Sequence, residues 1–191
     1  EKLIEKRFSL SHACQASVVH QLYVHTRSED WLNRLKAEYS DHYSAMLQKY
    51  YLLVKENGTE FDLAKMGINS HHVMSELMLV LPYLKKLEAI DISFNKISGG
   101  GIAALADAIS SLPRLRYLNV NSTALHSQQD ASVLSTILLK LPYLEFLDIG
   151  NNHFTSNMMI TVMESVKTLK ELRVLNIDKT FTSGIDLITI G

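Results

Sequence analysis

A block of nine residues returns at nearly constant spacing along this chain, and that regularity limits the folds open to it more than any other feature. The segments Leu87-Glu88-Ala89-Ile90-Asp91-Ile92-Ser93-Phe94-Asn95, Leu115-Arg116-Tyr117-Leu118-Asn119-Val120-Asn121-Ser122-Thr123 and Leu144-Glu145-Phe146-Leu147-Asp148-Ile149-Gly150-Asn151-Asn152 align without gaps. A fourth begins at Leu172 and runs through Leu175 and Ile177 to Thr180, and a weaker one precedes them with Gly58, Phe61, Leu63 and Met66. The starts at 58, 87, 115, 144 and 172 are separated by 29, 28, 29 and 28 residues. A period of that size marks a stack of supersecondary units, each burying its apolar face against the next.

Within each block the fourth slot (Phe61, Ile90, Leu118, Leu147, Leu175) and the sixth (Leu63, Ile92, Val120, Ile149, Ile177) lie two residues apart. In an extended strand such residues share a face, so both columns point inward, and slots three, five and seven point out. The ninth slot holds Asn95, Thr123, Asn152 and Thr180. These side chains can bond backbone groups freed where the strand turns away. The second half of each unit has helical periodicity. Ser70, Ser98, Ser127 and Ser156 each precede an apolar run, the preferred N-cap position. Inward columns follow at Leu77, Leu105, Leu134 and Val162, then at Leu81, Ile109, Leu138 and Val166. Pro113 and Pro142 are expected to end their helices. Pro82 comes a turn earlier than its counterparts, which predicts an irregular first connection.

The pattern L-x-x-L-x-L-x-x-N/T over residues 57–191 resembles the leucine-rich-repeat family. The alternation of Asn and Thr in slot nine is similar to the ribonuclease-inhibitor-like subclass. The resemblance implies an α/β fold, a right-handed leucine-rich-repeat solenoid with parallel strands on the concave face and helices on the convex face. Departures gather at the ends. Gly58 and Met66 replace the usual Leu and Asn, and Thr182 stands where Ile97, Leu125 and Phe154 stand in earlier repeats. The last helix has barely begun at Gly191, so truncation, a disordered tail or further repeats are all expectations at this end.

Residues 1–57 carry no repeat. Ser28-Glu29-Asp30-Trp31 marks a helix start, and Trp31, Leu35, Tyr39, Tyr43, Met46, Tyr50 and Leu53 continue the pattern towards Asn57-Gly58. The expectation is an α-helical N-terminal cap over 1–57 and about five repeats over 58–191, the last incomplete. The alternative is a helical effector or dimerisation region, for which Tyr39, Tyr43, Tyr50 and Tyr51 would suit an interface.

Site chemistry was sought in the residues that could carry it. The chain holds eight histidines and one cysteine, Cys14. None forms H-E-x-x-H or a zinc-ligand spacing, and His71-His72 diverge on a helix start. Gly99-Gly100-Gly101 lacks the lysine and spacing of a phosphate cradle; a tight turn with close backbone approach is the simpler account. No G-x-S-x-G elbow occurs. The expectation is therefore no enzyme, no cofactor, no metal and no small-molecule substrate. A net charge of −1 gives no basic surplus for nucleic acid or an anionic membrane. The single cysteine suits a reducing, cytoplasmic setting, including a host cytoplasm for a secreted bacterial effector.

What remains is a surface. Slot five reads Asp62, Asp91, Asn119, Asp148, Asn176, and slot three reads Glu60, Ala89, Tyr117, Phe146, Val174. Tyr117 and Phe146 should lie side by side, flanked by Asp91 and Asp148, a mixture suited to an Arg or Lys of a partner. Asp or Asn in slot five also has a structural use in the family the repeat resembles, so both readings of the acidic column are open. The candidate partner-binding residues are Asp91, Tyr117, Asn119, Phe146, Asp148 and Asn176. The expected function is a protein–protein interaction module gripping an unidentified partner. Proteins of this class include inhibitors, immune sensors, cytoskeletal regulators and bacterial effectors. The alternatives are a regulator of an enzyme, such as a GTPase-activating protein, and an oligomerising structural fragment.

Overall fold

The computed structural model describes residues 49, 52–53, 56–68, 81 and 84–180. The expected helical cap, Ser70, Leu77, His71-His72, Pro82 and Thr182 lie outside them, apart from helical Lys49, Leu52 and Leu53 and the turn residues Glu56 and Asn57. In chain order the elements are β1 (Glu60–Asp62), β2 (Ala89–Asp91), α1 (Gly100–Ile109), β3 (Tyr117–Asn119), α2 (Gln128–Leu139), β4 (Phe146–Asp148), α3 (Ser156–Val166) and β5 (Val174–Asn176). The strands form one parallel sheet in the order β1-β2-β3-β4-β5. Its register sets Phe61 beside Ile90, Ile90 beside Leu118, Leu118 beside Leu147 and Leu147 beside Leu175. The 28- and 29-residue steps thus become neighbouring parallel strands, the arrangement of an α/β leucine-rich-repeat fold.

One apolar cluster runs under the sheet and contains both inward columns and the helix faces. Ile90, Leu118, Leu147, Leu105, Leu134 and Val162 are completely buried. Slot eleven adds Ile68, Ile97, Leu125 and Phe154, all buried. The column loosens at β5, where Leu175 and Ile177 are half-buried. The first repeat's departure from Leu has a steric cause. A Cβ at Gly58 would come 2.8 Å from Leu53 Cδ1. Leu53 is itself buried, so a side chain at Gly58 would have to displace it.

Two helix starts differ from expectation. Ser127 caps α2 as predicted, but α3 is capped by Thr155, which accepts from Met158 N, and Ser156 is the first helical residue. Thr155 is the residue with the extended backbone an N-cap requires. Before α1 the cap is Gly99, with φ 68 and ψ −120 and no capping side chain, so Ser98 falls outside. No atom lies within 4 Å of a Cβ built at Gly99. Glycine is needed there for its dihedral angles, and the close approach expected of this turn is not made at Gly99. Pro113 and Pro142 sit in the turns that follow α1 and α2, beyond helix ends already set at Ile109 and Leu139.

Slot eight carries a second backbone regularity. Lys65, Phe94, Ser122, Asn151 and Lys179 all have positive φ, between 52 and 58. The left-handed bend turns each strand away from the sheet, and a bulky residue there is strained by about 1–2 kcal/mol. Phe94 is 53% exposed, and Lys65 Nζ stands 4.9 Å from its ring centre. An exposed cation–π contact contributes about 0.5–1 kcal/mol. Phe94→Asn should therefore leave stability unchanged or raise it by up to about 1 kcal/mol. Urea denaturation checks this; a clear loss would show that the ring supports the fold.

Candidate functional site

With helices and core on one side, the sheet presents its other face through slots three and five. Slot three lies in register as Glu60, Ala89, Tyr117, Phe146 and Val174. Adjacent parallel strands are about 4.8 Å apart, which suits ring stacking. Tyr117 and Phe146 stack with centroids 4.2 Å apart and planes inclined by 9°. Both are half-buried, and Val174 extends the apolar strip at 47% exposure. Such aromatics have no partner in the core beneath them.

Slot five is mostly occupied by its own backbone. Asp62, Asp91, Asn119, Asp148 and Asn176 each accept, through Oδ1, the N–H two residues on, at 2.8, 2.8, 3.0, 2.8 and 2.9 Å. The asparagines then bridge strands. Asn119 Nδ2 donates to Asp91 Oδ2 at 2.8 Å, and Asn176 Nδ2 donates to Asp148 Oδ2 at 3.0 Å. Asp148 is buried and also accepts from Asn121 Nδ2 at 3.0 Å. Its charge is directed inward along the sheet. Asp62, at the exposed edge, meets Lys49 Nζ at 3.3 Å. The N–H of Ala64 is the main cause that holds the Asp62 carboxyl below the usual range, against the effect of burial and with help from Lys49.

Slot seven points out to solvent as expected at Asp178, and Ala64 is half-buried, but the middle of the column does not follow. Ser93, Asn121 and Gly150 are buried. The side chain of Asn121 lies along the sheet to reach Asp148, and a Cβ at Gly150 would come 2.8 Å from Asn121 Nδ2. Glycine in that slot makes room for the bridge.

The face therefore brings the six expected residues together in three pairs: Asp91 with Asn119, Asp148 with Asn176, and Tyr117 with Phe146. It also includes two residues that the column-by-column reading omitted, Glu88 and Arg116. Glu60, Asp62, Glu88, Ala89, Asp91, Arg116 and Tyr117 surround a depression of about 410 Å³ over β1–β3. Glu88 and Arg116 belong to slot two, whose alternation Glu88, Arg116, Glu145, Arg173 was a visible signal. Arg116 bonds Glu145, and Arg173 Nε stands 3.9 Å from the same carboxylate. The field over the depression reaches the Tyr117 phenol. Burial first, then the negative charges of Asp91, Asp148 and Asp62, push it above its ordinary value, against a bond from Asn119.

Among the described residues no group of three or more His, Cys, Asp and Glu side chains could hold a metal ion, and no helix is long and apolar enough to cross a membrane.

Residues 31–190 match the family model described as the MHP1/HER1/GIP3 LRR domain. Among solved structures, the chain is similar to the C-terminal domain of tropomodulin from Caenorhabditis elegans, at 19% identity and a TM-score of 0.56. That likeness covers 76% of this chain and 86% of the tropomodulin chain. An internalin from Listeria monocytogenes is also similar, at 19% identity and a TM-score of 0.41 over 66% of this chain and 44% of the internalin chain. At this identity the tropomodulin likeness speaks for the fold.

Proposed function

Because the chain belongs to the MHP1/HER1/GIP3 leucine-rich-repeat domain family, we propose that it is a protein-binding module that holds a partner on the strand-bearing, concave face of a right-handed solenoid, with the residues before β1 as its cap. The observation that supports this most directly is the Tyr117–Phe146 stack, two half-buried rings 4.2 Å apart on the sheet face that none of the described helices covers. Aromatic side chains carry a large share of interface energy when a partner completes their burial. The acidic column contributes less than its composition suggests, because Asp91 and Asp148 already accept bonds from Asn119 and Asn176. On this reading the protein is a binding scaffold and not an enzyme, and a reducing, cytoplasmic setting for it remains part of the proposal.

The double substitution Tyr117→Ala with Phe146→Ala tests it. A stack of this kind contributes about 0.5–1.5 kcal/mol beyond the area it buries, so the fold should persist. Far-ultraviolet circular dichroism should be unchanged, and the affinity for a partner captured by the unaltered chain should fall at least about tenfold, or ~1.4 kcal/mol. Full affinity in the folded double variant would remove this face from consideration.

A further inference from the structure

The depression over β1–β3 has a definite origin. Slot three places Ala89 between Glu60 and Tyr117 on neighbouring strands. A one-carbon side chain between two long ones leaves a gap in an otherwise continuous column. Phe146 stacks on one face of Tyr117. The other face is turned towards Ala89 and lines the gap.

The charges around the gap do not balance. Among the described residues Arg116 is the one cation that lines the depression, and its guanidinium is bonded to Glu145. Asp91 accepts from Ser93 N and Asn119, and Asp62 accepts from Ala64 N and stands beside Lys49. Glu60 and Glu88 remain, with side chains that make no ion pair or hydrogen bond to another described residue. Among the described residues, Glu88 is the end of the slot-two ladder Glu88, Arg116, Glu145, Arg173 that makes no ion pair.

We propose that this depression receives an arginine side chain of the partner protein, its guanidinium lying on the open face of Tyr117 and pairing with Glu60 and Glu88. The proposal rests on the reading of the sheet face as a protein-binding surface and adds the chemistry of what sits there. A planar guanidinium both stacks on an aromatic ring and meets carboxylates through a fork of donors, which a lysine ammonium does not do.

The test uses the full chain, labelled with nitrogen-15, and four end-blocked peptides of the form Gly-Ser-Xaa-Ser-Gly, with arginine, lysine, glutamine or leucine in the centre. The arginine peptide is expected to move the amide resonances of Glu60, Ala89, Asp91 and Tyr117 saturably, more strongly than lysine, and less so as salt rises. Glutamine and leucine peptides should leave them in place. Glu60→Gln with Glu88→Gln should weaken the arginine response about fivefold, the scale of two half-exposed charge pairs. Ala89→Leu fills the gap without altering charge and should remove the response. If glutamine or leucine moves these resonances as strongly, the demand for a cation is overturned while the face stands as a binding surface. If no peptide moves them, or if Ala89→Leu leaves the arginine response intact, the pocket is overturned, and the broader reading is decided separately by the Tyr117/Phe146 variant.

Discussion

Asn152→Ala is expected to cost roughly 3–5 kcal/mol, a large part of the 5–15 kcal/mol by which folded domains of this size exceed their unfolded chains. The side chain is completely buried. Its Nδ2 reaches Val120 O and Ile149 O at 2.9 Å each and Gly150 O at 3.3 Å. Its Oδ1 accepts the N–H of Thr123 at 3.2 Å and that of Leu125 at 3.1 Å. Alanine would strand those two N–H groups, each a penalty of about 1–3 kcal/mol, and open a polar hole between two repeats. In a stack where each unit is held by its neighbours, the damage passes to both sides of the break. Asn151→Gly is the control: that residue is exposed, glycine accepts its left-handed backbone (φ 52), and among the described residues its side chain bonds Asn121 Oδ1, at 3.2 Å, so about 1 kcal/mol or less is expected. Urea midpoints and thermal melts of the two variants decide the matter. Equal, small losses would mean that the asparagine column is not what ties adjacent turns together.

Asn152 also marks where the sequence was easiest to interpret. Its column, the two inward columns and the period itself follow from the chemistry of burial. A side chain removed from water must be apolar or fully bonded, and that constraint leaves little freedom in residue choice. Asn95 shows the same rule, donating to Leu63, Ile92 and Ser93 carbonyls and accepting from Ile68 N. Surfaces are less constrained, and the reading of slot seven failed there. Alternation along a strand assigns Asn121 to the solvent side, but a long amide on a solvent-facing site can fold sideways, and here Asp148 draws it along the sheet. The stacked rings of Tyr117 and Phe146 were legible because register alone places them together. The depression beside them was not, since it arises from a missing volume at Ala89 and from the pairing of Arg116 with Glu145, neither of which a search for conspicuous residues detects. The strain shared by slot eight left no mark in composition either, because Lys65, Phe94, Ser122, Asn151 and Lys179 have nothing in common but their backbone.

A second large effect is expected at Asp130, which the capping pattern Ser127-x-x-Asp130 conceals as an ordinary helix start. Ser127 Oγ accepts from Asp130 N at 3.0 Å, and Asp130 Oδ2 accepts from Ser127 N at 3.0 Å and His126 N at 3.1 Å. That closes the box at α2. Its other oxygen reaches into the preceding repeat and takes the N–H of Gly99 at 2.6 Å. Gly99 has no side chain to cap α1, so one carboxylate serves the amino-terminal ends of two helices, where a negative charge is favoured. Asp130 is buried. Burial is the largest influence and opposes ionisation, yet the backbone N–H groups of Gly99, His126 and Ser127 and the Ser127 side chain together hold the carboxyl below its ordinary 3.8. A depressed value in the fold means the charge stabilises the folded chain above the unfolded carboxylate range, and that the contribution is lost as pH falls through the folded value. Asp130→Asn puts an amide against donors and should cost about 2–3 kcal/mol at pH 7. The gap between the parent chain and the variant should then narrow as the solution is taken below about pH 4, where the carboxyl of the unfolded parent chain begins to take up the proton and the folded one does not yet. Urea midpoints of both proteins between pH 7 and pH 3 provide the measurement. A gap that keeps its full width across that range would show that the shape of the side chain joins the two helices and that its charge does not.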